Sequence, residues 1–266
     1  MTATTATTAA PLRRAWVEPI MGTQISVHLR ATGPGAVLGG EAERAVAELF
    51  DELRCVEARF TTHRPTSEIM RINRGELAVA DAHPTVREVI ELCDEARRRT
   101  GGAFDAHLRD PDGAPWFDPT GLVKGWAVER AARHLLTLPH VDHCVNAGGD
   151  VTVGSTAAVP GSWRIGIEDP EDVTQVIAVF ELTTGAVATS GRTHRGLHIV
   201  DPATGGPAGR LLCASVVGAS LMWADVYATA AVVRGDEAID WLEGIDDHEG
   251  IVVVDDGTRL VTSGLV

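Results

Sequence analysis

Asp225 and Thr229 are the residues of this 266-residue chain whose types and spacing most directly suggest chemistry. They lie four residues apart in an apolar run that Ser220 opens and Gly235 closes, and serine and glycine are favoured at helix starts and ends. On a helix this spacing places a carboxylate and a hydroxyl on the same face. Such oxygen ligands suit Mg²⁺, which completes its octahedron with water and substrate phosphate. The polar stripe of an ordinary amphipathic helix is the commoner explanation of such a pair, so both interpretations stay open here.

Lys124 and His198 are two further candidates for chemistry. Lys124 lies in the first turns of a predicted helix that follows Gly121, and a glycine-flanked helix start with a lysine can bind an anion. His198 begins a short apolar strand, His198-Ile199-Val200, which ends at the Asp201-Pro202 turn. A histidine there can move a proton near neutral pH. A solvated lysine and a structural histidine are the alternatives.

The composition indicates a folded protein that does not bind nucleic acid. Hydrophobic residues make up 44% of the chain, which is enough for a buried core. The formal charge of -14 repels nucleic acid and anionic membranes, so an anionic ligand must be attracted by a metal, a lysine or backbone amides. We therefore expect no nucleic-acid partner and no membrane insertion.

The cysteines and the amino-terminal residues indicate the compartment. Four scattered cysteines without a CxxC pair fit reduced, buried thiols and a cytoplasmic protein; they are Cys55, Cys93, Cys144 and Cys213. The Thr- and Ala-rich start has no basic segment followed by an apolar core, so we expect neither a secretion signal nor a lipoprotein leader. We predict a disordered tail over residues 1–14 and a single domain over residues 15–266.

Periodicity predicts helices and strands that place these residues. Ile25 to Leu29 alternates as a half-buried strand, which we take as the first strand and which follows Met21-Gly22-Thr23. Apolar residues recur at helical spacing from Gly40 to Phe60, and Thr85-Val86-Arg87-Glu88 predicts a capping box that begins a second helix. Asn146 to Asp150 separates two strands at a glycine turn, where backbone can approach a ligand or simply form a hairpin.

Short motifs that span nearly the whole chain together resemble the ApbE family, the FAD:protein FMN transferases. Each motif is weakly informative alone, but all occur in the family's order. The matching segments are Met21-Gly22-Thr23, Ser67-Glu68-Ile69, Ile72-Asn73, Gly102-Ala103-Phe104-Asp105, Lys124-Gly125, Asn146-Ala147-Gly148-Gly149-Asp150, Thr189-Ser190-Gly191, His198-Ile199-Val200-Asp201-Pro202, and Ala224-Asp225 with Thr229.

The resemblance implies an α+β fold with mixed or antiparallel sheets flanked by helices, a T-fold-like architecture with a cleft for FAD. It implies Mg²⁺ at the FAD pyrophosphate, held by Asp225, Thr229 and the backbone carbonyl of Gly121. His198 is our first choice for the catalytic base, and Asp225 could share that role. The residues expected to contact the flavin nucleotide are Met21, His63, Ala103, Phe104, Asp105, Asp118, Lys124, His198 and Ile199.

Three departures from the family pattern are visible. Members often have a tyrosine where His63 stands, and a longer insertion between the motifs that end at Asp105 and begin at Asp118. They often have an alanine or serine where Gly121 stands, a change that a backbone-carbonyl ligand tolerates. We expect the short connection between Asp105 and Asp118 to leave less of a lid over the cleft.

The implied reaction moves FMN from FAD to a threonine or serine hydroxyl of an acceptor flavoprotein and releases AMP, with FAD as substrate and Mg²⁺ as cofactor. Charge on the phosphoryl oxygens must be neutralised in such a reaction, and Mg²⁺ does this as Lewis acid and template. Two alternatives stay open: a Mg²⁺-dependent FAD pyrophosphatase that uses water, and a non-catalytic flavin-binding or storage protein.

Overall fold

Eight strands form one antiparallel sheet whose spatial order follows the order of the chain. A computed structural model describes residues 12–33, 38–110, 112–193, 196 and 198–265. The sheet order is β1-β2-β5-β6-β9-β10-β11-β12, and all its neighbouring pairs are antiparallel. Two separate hairpins, β3–β4 and β7–β8, complete the strands. The strands are β1 Arg13–Ile20, β2 Thr23–Ala31, β3 His107–Arg109, β4 Pro115–Phe117, β5 Val141–Ala147, β6 Asp150–Ser155, β7 Trp163–Glu168, β8 Val176–Leu182, β9 Gly185–Gly191, β10 Leu211–Gly218, β11 His248–Val254 and β12 Arg259–Val261.

Six α-helices accompany the strands in the described part of the chain, so the expected α+β class with sheets flanked by helices is confirmed. The pairs of neighbouring strands in this part are all antiparallel. The helices are α1 Gly40–Phe60, α2 Glu68–Asn73, α3 Pro84–Arg99, α4 Thr120–Ala132, α5 Leu221–Arg234 and α6 Ala238–Glu243. Short 3-10 helices lie at Val79–Asp81, Arg133–Thr137, Gly235–Glu237 and Ser263–Leu265.

The two faces of the sheet are covered by different elements. On one face, Val145 and Ala147 of β5 belong to the main core together with helices α1, α4 and α5. On the other face, Cys144 belongs to a small cluster that Trp163 and Ile165 of β7 cover. Since neighbouring residues of a strand point to opposite faces, β5 is buried on both sides, and every residue of it except Asn146 is buried.

Helices α4 and α5 cross closely at Gly125. A Cβ atom at Gly125 would lie 2.9 Å from Cα of Met222 and 3.0 Å from the carbonyl oxygen of Leu221, so only glycine allows this approach. The predicted ends of α5 are confirmed: the Ser220 side chain accepts a hydrogen bond from the Trp223 amide, and Gly235 caps the other end with φ of 61°. This crossing places Lys124, the residue before Gly125, beside α5.

The strand that we took as the first is the second. Arg13–Ile20 forms β1 and joins β2 through a two-residue turn in which Met21 and Gly22 have φ of 55° and 70°, as in the hairpin turns that match strand twist. The sequence pattern does not indicate β1, because this strand contains Pro19. Proline is tolerated there because β1 lies at the edge of the sheet.

Three other expectations require correction. Helix α3 begins at Pro84, and the Thr85 amide donates to Nδ1 of His83, so the capping box does not form. Residues 198–200 form no strand, and Val200 makes an isolated bridge with Pro207. The short connection between Asp105 and Asp118 holds the β3–β4 hairpin rather than a loop.

The predicted tail and the predicted burial of all four cysteines also differ in part. Arg13 and Arg14, which we placed in the tail, belong to β1, and residues 1–11 lie outside the described residues. Cys55 is exposed, whereas Cys93, Cys144 and Cys213 are buried. Within the described part of the chain, no helix is both long and apolar enough to cross a membrane.

Candidate active site

One cavity of about 490 Å³ brings together every residue that the sequence singles out as a site residue. Its walls come from the β1–β2 turn, the carboxyl end of α1, the segment before β3, the beginning of α4, the middle of α5 and the 198–202 loop. The expected site residues in its lining are Met21, His63, Ala103, Phe104, Asp105, Asp118, Gly121, Lys124, His198, Ile199, Asp225 and Thr229.

Asp225 and Thr229 form the polar floor of this cavity. Asp225 is 3% exposed, and Oγ1 of Thr229 lies 2.8 Å from Oγ of Ser190 on β9. Gly121, at the beginning of α4, lines the same cavity. A buried carboxylate, two hydroxyls and a backbone carbonyl are oxygen donors of the kind that Mg²⁺ prefers, so these residues fit the implied ion.

The described residues hold no group of three or more His, Cys, Asp or Glu side chains that could bind a metal. A site with one carboxylate is typical of Mg²⁺ that keeps several waters and binds substrate phosphates. The donor set is therefore suited to an ion that arrives with a phosphate ligand rather than to a closed protein cage.

Lys124 lies between two buried carboxylates. Its ammonium contacts Oδ2 of Asp150, which is 1% exposed, and lies 3.6 Å from Oδ2 of Asp225. Oδ1 of Asp150 accepts a hydrogen bond of 3.0 Å from the Thr189 amide. Because burying charges is costly unless they are paired, this arrangement fixes the ammonium next to the floor of the cavity.

The wall at the beginning of α4 is fixed by backbone contacts. The side-chain amide of Asn73 exchanges two hydrogen bonds of 2.9 Å with the backbone of Phe117. Oδ1 of the next residue, Asp118, accepts a hydrogen bond from the Thr120 amide at 3.0 Å. These bonds orient the first turn of α4, where the positive end of the helix dipole favours an anion.

Met21 and Asp105 are each held in place by a side chain from a helix. The Met21 amide donates to Oε1 of Glu57 at 3.0 Å, which ties the β1–β2 turn to α1. Oδ2 of Asp105 pairs with Nε of Arg97 at 2.9 Å. Phe104 is buried, and a Cβ atom at Gly121 would lie 3.2 Å from its ring, so this aromatic side chain packs directly under the beginning of α4.

His198 is exposed at the rim with a defined tautomer. Its Nδ1 lies 3.0 Å from the carbonyl oxygen of Gly196. A carbonyl oxygen only accepts hydrogen bonds, so Nδ1 carries the proton and the neutral ring presents Nε2 as an acceptor. His63 is also exposed at the rim.

Comparison with known proteins assigns these features to one family. The sequence profile of the ApbE family matches residues 21–112 and 107–252.

The chain belongs to the ApbE family.

Two curated relatives illustrate the similarity in sequence. A protein named FAD:protein FMN transferase from Vibrio cholerae is 33% identical over 132 residues, which cover 46% of this chain and 40% of that protein. A protein of the same name from Chlamydia muridarum is 24% identical over 76% of this chain and 79% of its own length. The chain thus spans less than half of the length of its Vibrio cholerae relative in that alignment.

Solved structures of ApbE proteins share the fold. The ApbE protein of Thermotoga maritima matches with a TM-score of 0.81 and 19% identity over 96% of this chain and 98% of that chain. The flavin transferase ApbE from Vibrio cholerae matches with a TM-score of 0.75 and 22% identity over 95% and 98% of the two chains.

Three residues that were not among the expected site residues make contacts that position the site of this ApbE protein. Glu57 and Ser190 line the cavity, and Asp150 holds Lys124. Asp150 and Ser190 occur in motifs that carry the resemblance, but nothing in their local sequence indicates their partners. Glu57 lies on the helix α1 among many exposed acidic residues, and its contact with Met21 depends on the tertiary fold.

Proposed function

We propose that this chain transfers FMN from FAD to a serine or threonine hydroxyl of an acceptor protein and releases AMP, in a reaction that requires Mg²⁺. The observation that carries the proposal is the single cavity in which Asp225, Lys124 and His198 meet. The names of the relatives, FAD:protein FMN transferase, support the same reaction. We place the reaction in the cytoplasm because the chain has free cysteines, as reduced compartments favour.

The roles of the residues follow from their positions. Asp225, Thr229 and the Gly121 carbonyl would hold Mg²⁺, which when bound supplies charge neutralisation at the pyrophosphate. Lys124 adds a fixed positive charge beside the same oxygens. Asp118 and the first turn of α4 orient the nucleotide, and Met21, His63 and the Ala103-Phe104-Asp105 segment contact it.

His198 takes the proton of the attacking hydroxyl. Its Nε2 is the acceptor because Nδ1 is engaged with Gly196. Ile199 follows in the same wall and gives the nucleotide an apolar contact. Positioning two reactants beside one base can contribute several kcal/mol to the rate, which favours a bound hydroxyl over stray water.

The test separates transfer from hydrolysis and from storage. Purified protein is incubated with FAD and Mg²⁺, with and without candidate flavoproteins from the same cell, and AMP release and in-gel flavin fluorescence are measured. We expect slow AMP release alone, and faster release with an equal amount of protein-bound flavin when an acceptor is added. Equal release of AMP and FMN in both cases, with no fluorescent protein, would establish a pyrophosphatase, and no release at all would establish storage.

A further inference from the structure

A second cavity of about 830 Å³, here called the second groove, adjoins the nucleotide cavity. Gly22, Lys124, Ser190 and His198 line both cavities. Among the described residues expected to contact FAD or the metal, only Lys124 and His198 also line the second groove. The proposed base therefore borders two spaces, and every residue expected to contact the nucleotide lines the first of them.

One wall of the second groove is the edge of β7. Five consecutive residues, 164–168, line it. Because side chains of a strand alternate between its two faces, a consecutive run indicates that the groove follows the edge of the strand rather than one face. The other edge of β7 pairs with β8, which is its only strand partner among the described residues. The backbone of β7 thus offers hydrogen-bonding groups to the groove.

The opposite wall includes the end of β9. Residues 189–191 line the groove, and the pairing of β9 with β6 ends at Val187. Beyond this point the Thr189 amide donates to Asp150 instead of to a strand. Ser190 lies in this wall and also lines the nucleotide cavity, where its hydroxyl contacts Thr229.

The β7–β8 hairpin is held in a fixed position. Arg30 donates to the carbonyl of Ser162 at 3.1 Å, lies 4.7 Å from the ring centre of Trp163, and pairs with the fully buried Asp142 at 2.8 Å. Beyond the end of β7, Arg259 pairs with Asp169 at 2.7 Å. A preformed edge loses little conformational freedom when a ligand binds to it.

We infer, on the basis of the proposed function, that the second groove binds the acceptor protein. An extended segment of the acceptor adds to β7 as a further strand and brings its serine or threonine hydroxyl to Nε2 of His198. The FAD pyrophosphate then lies on the other side of His198 and Lys124. Since the attacking and leaving oxygens of a phosphoryl transfer are roughly in line, the acceptor must approach from a side that the leaving AMP does not occupy.

The transfer step balances with these positions. The hydroxyl oxygen forms a bond to the FMN-side phosphorus, and its proton goes to Nε2 of His198. The bond between that phosphorus and the bridging oxygen breaks, and the bridging oxygen leaves with its electron pair as part of AMP. FMN stays on the acceptor as a phosphoester, so no oxidant or reductant is needed.

Chemical modification after folding tests the assignment. In a Cys55→Ser background, which removes the exposed thiol, Arg164→Cys places a thiol on exposed β7 in the groove, and Val179→Cys places one on exposed β8 outside it. Both proteins are labelled with a biotin maleimide. FAD affinity, acceptor-independent AMP release, and transfer to the purified, flavin-free acceptor that the wild-type chain labels are then measured.

We expect the adduct at position 164 to lower kcat/KM for transfer at least tenfold, with FAD affinity and acceptor-independent AMP release within twofold of the unlabelled protein. The adduct at position 179 should change none of the three. Equal transfer with both adducts, or loss of FAD affinity with the adduct at 164, overturns the inference. If the wild-type chain labels no acceptor at all, the proposed function itself fails, which is a different result.

Discussion

His198 borders both cavities, and because we propose it as the base, its removal should affect the rate of transfer more than FAD binding. We expect His198→Ala to slow single-turnover transfer by about 10²- to 10⁴-fold, the usual contribution of a general base. Rapid-quench measurement of the transfer rate at saturating FAD and acceptor checks this loss. His63→Ala is the matched control: it should weaken FAD binding and leave the single-turnover rate at saturation unchanged, and a full rate in His198→Ala would assign the proton to a carboxylate.

Lys124 contacts two buried carboxylates, Asp150 and Asp225, and we propose that Asp225 also binds Mg²⁺. Lys124→Met leaves both without this ammonium and should destabilise the fold by on the order of 3 kcal/mol. Added Mg²⁺ should restore part of that loss, and raise the Tm of this variant more than that of the wild type.

Asp225→Asn should lose the response to Mg²⁺ and the Mg²⁺-dependent turnover while remaining folded. Thermal unfolding with and without MgCl₂ checks both, and an equal Mg²⁺ response in all three proteins would contradict the metal assignment.

The sequence identifies individual residues of the site better than their contacts. Helix caps predict α5, and therefore the shared face of Asp225 and Thr229, because capping is local. Lys124, Asp150 and Thr189 come together only through the packing of α4 on the sheet. Such contacts between distant segments produce no periodic signal in the sequence. The set of site residues is therefore identified from the resemblance to a family rather than from the spacing of residues along the chain.

The crossing of α4 and α5 depends on Gly125. Gly125→Ala places Cβ within 3.0 Å of backbone atoms of Met222 and Leu221, so the two helices must move apart. We expect this to lower the free energy of unfolding by about 1–3 kcal/mol. The better helix propensity of alanine offsets up to about 1 kcal/mol of that loss. The net loss should lower Tm by roughly 2–6 °C. FAD affinity should fall as well, because Lys124 moves relative to Asp225. Calorimetry and flavin fluorescence titration measure the two effects.

Gly121→Ala is the control for this prediction. Its Cβ would meet only the ring of Phe104, at 3.2 Å, and a side chain can adjust where a backbone cannot. Both Tm and Mg²⁺ dependence should remain close to wild type, because a carbonyl ligand is unaffected by the side chain. A loss as large as that of Gly125→Ala would show that helix α4 tolerates no added volume anywhere along this wall.

Strand β5 carries a histidine whose burial makes stability depend on pH. Burial lowers the pKa of His143 to about 4, with nearby Asp142 opposing the shift. The imidazole of His143 takes up a proton near pH 6.5 in the unfolded chain but only near pH 4 in the folded chain. The free energy of unfolding is therefore highest above pH 6.5 and falls by up to about 3 kcal/mol as the pH is lowered toward 4. Urea unfolding at pH 7 and pH 4.5 should show a smaller difference for His143→Gln than for wild type. Equal differences would place the titrating group elsewhere.

Elements with strong local signals were predicted from the sequence, whereas those defined by their partners were not. Helix α1 was predicted from Gly40 to Phe60 because its apolar stripe repeats over five turns. Strand β1 was missed because it alternates weakly at the sheet edge. The 3-residue strands β3 and β4 are too short for a pattern to emerge, and their pairing depends on each other.

The distribution of thiols predicts how the whole molecule reacts with alkylating reagents. Burial raises the pKa values of Cys144 and Cys213 to about 12 and also raises that of Cys93, while Cys55 is exposed. Since the thiolate is the reactive form, a disulfide reagent at pH 8 should titrate one thiol rapidly in the native protein and four in guanidinium chloride. Cys55→Ser should abolish the rapid phase. A rapid phase that persists would mean that the second groove admits the reagent to Cys144 or Cys213.

The agreement between strand order and chain order in the main sheet bears on how the protein forms during translation. Each strand after β1 joins the outer edge of those already made, and no later strand has to enter between two earlier ones. A nascent chain can therefore assemble its sheet progressively as it leaves the ribosome. Helix α5, which carries Asp225, comes after β10, so a polypeptide still in synthesis holds most of its sheet before it can form the site that we propose for Mg²⁺.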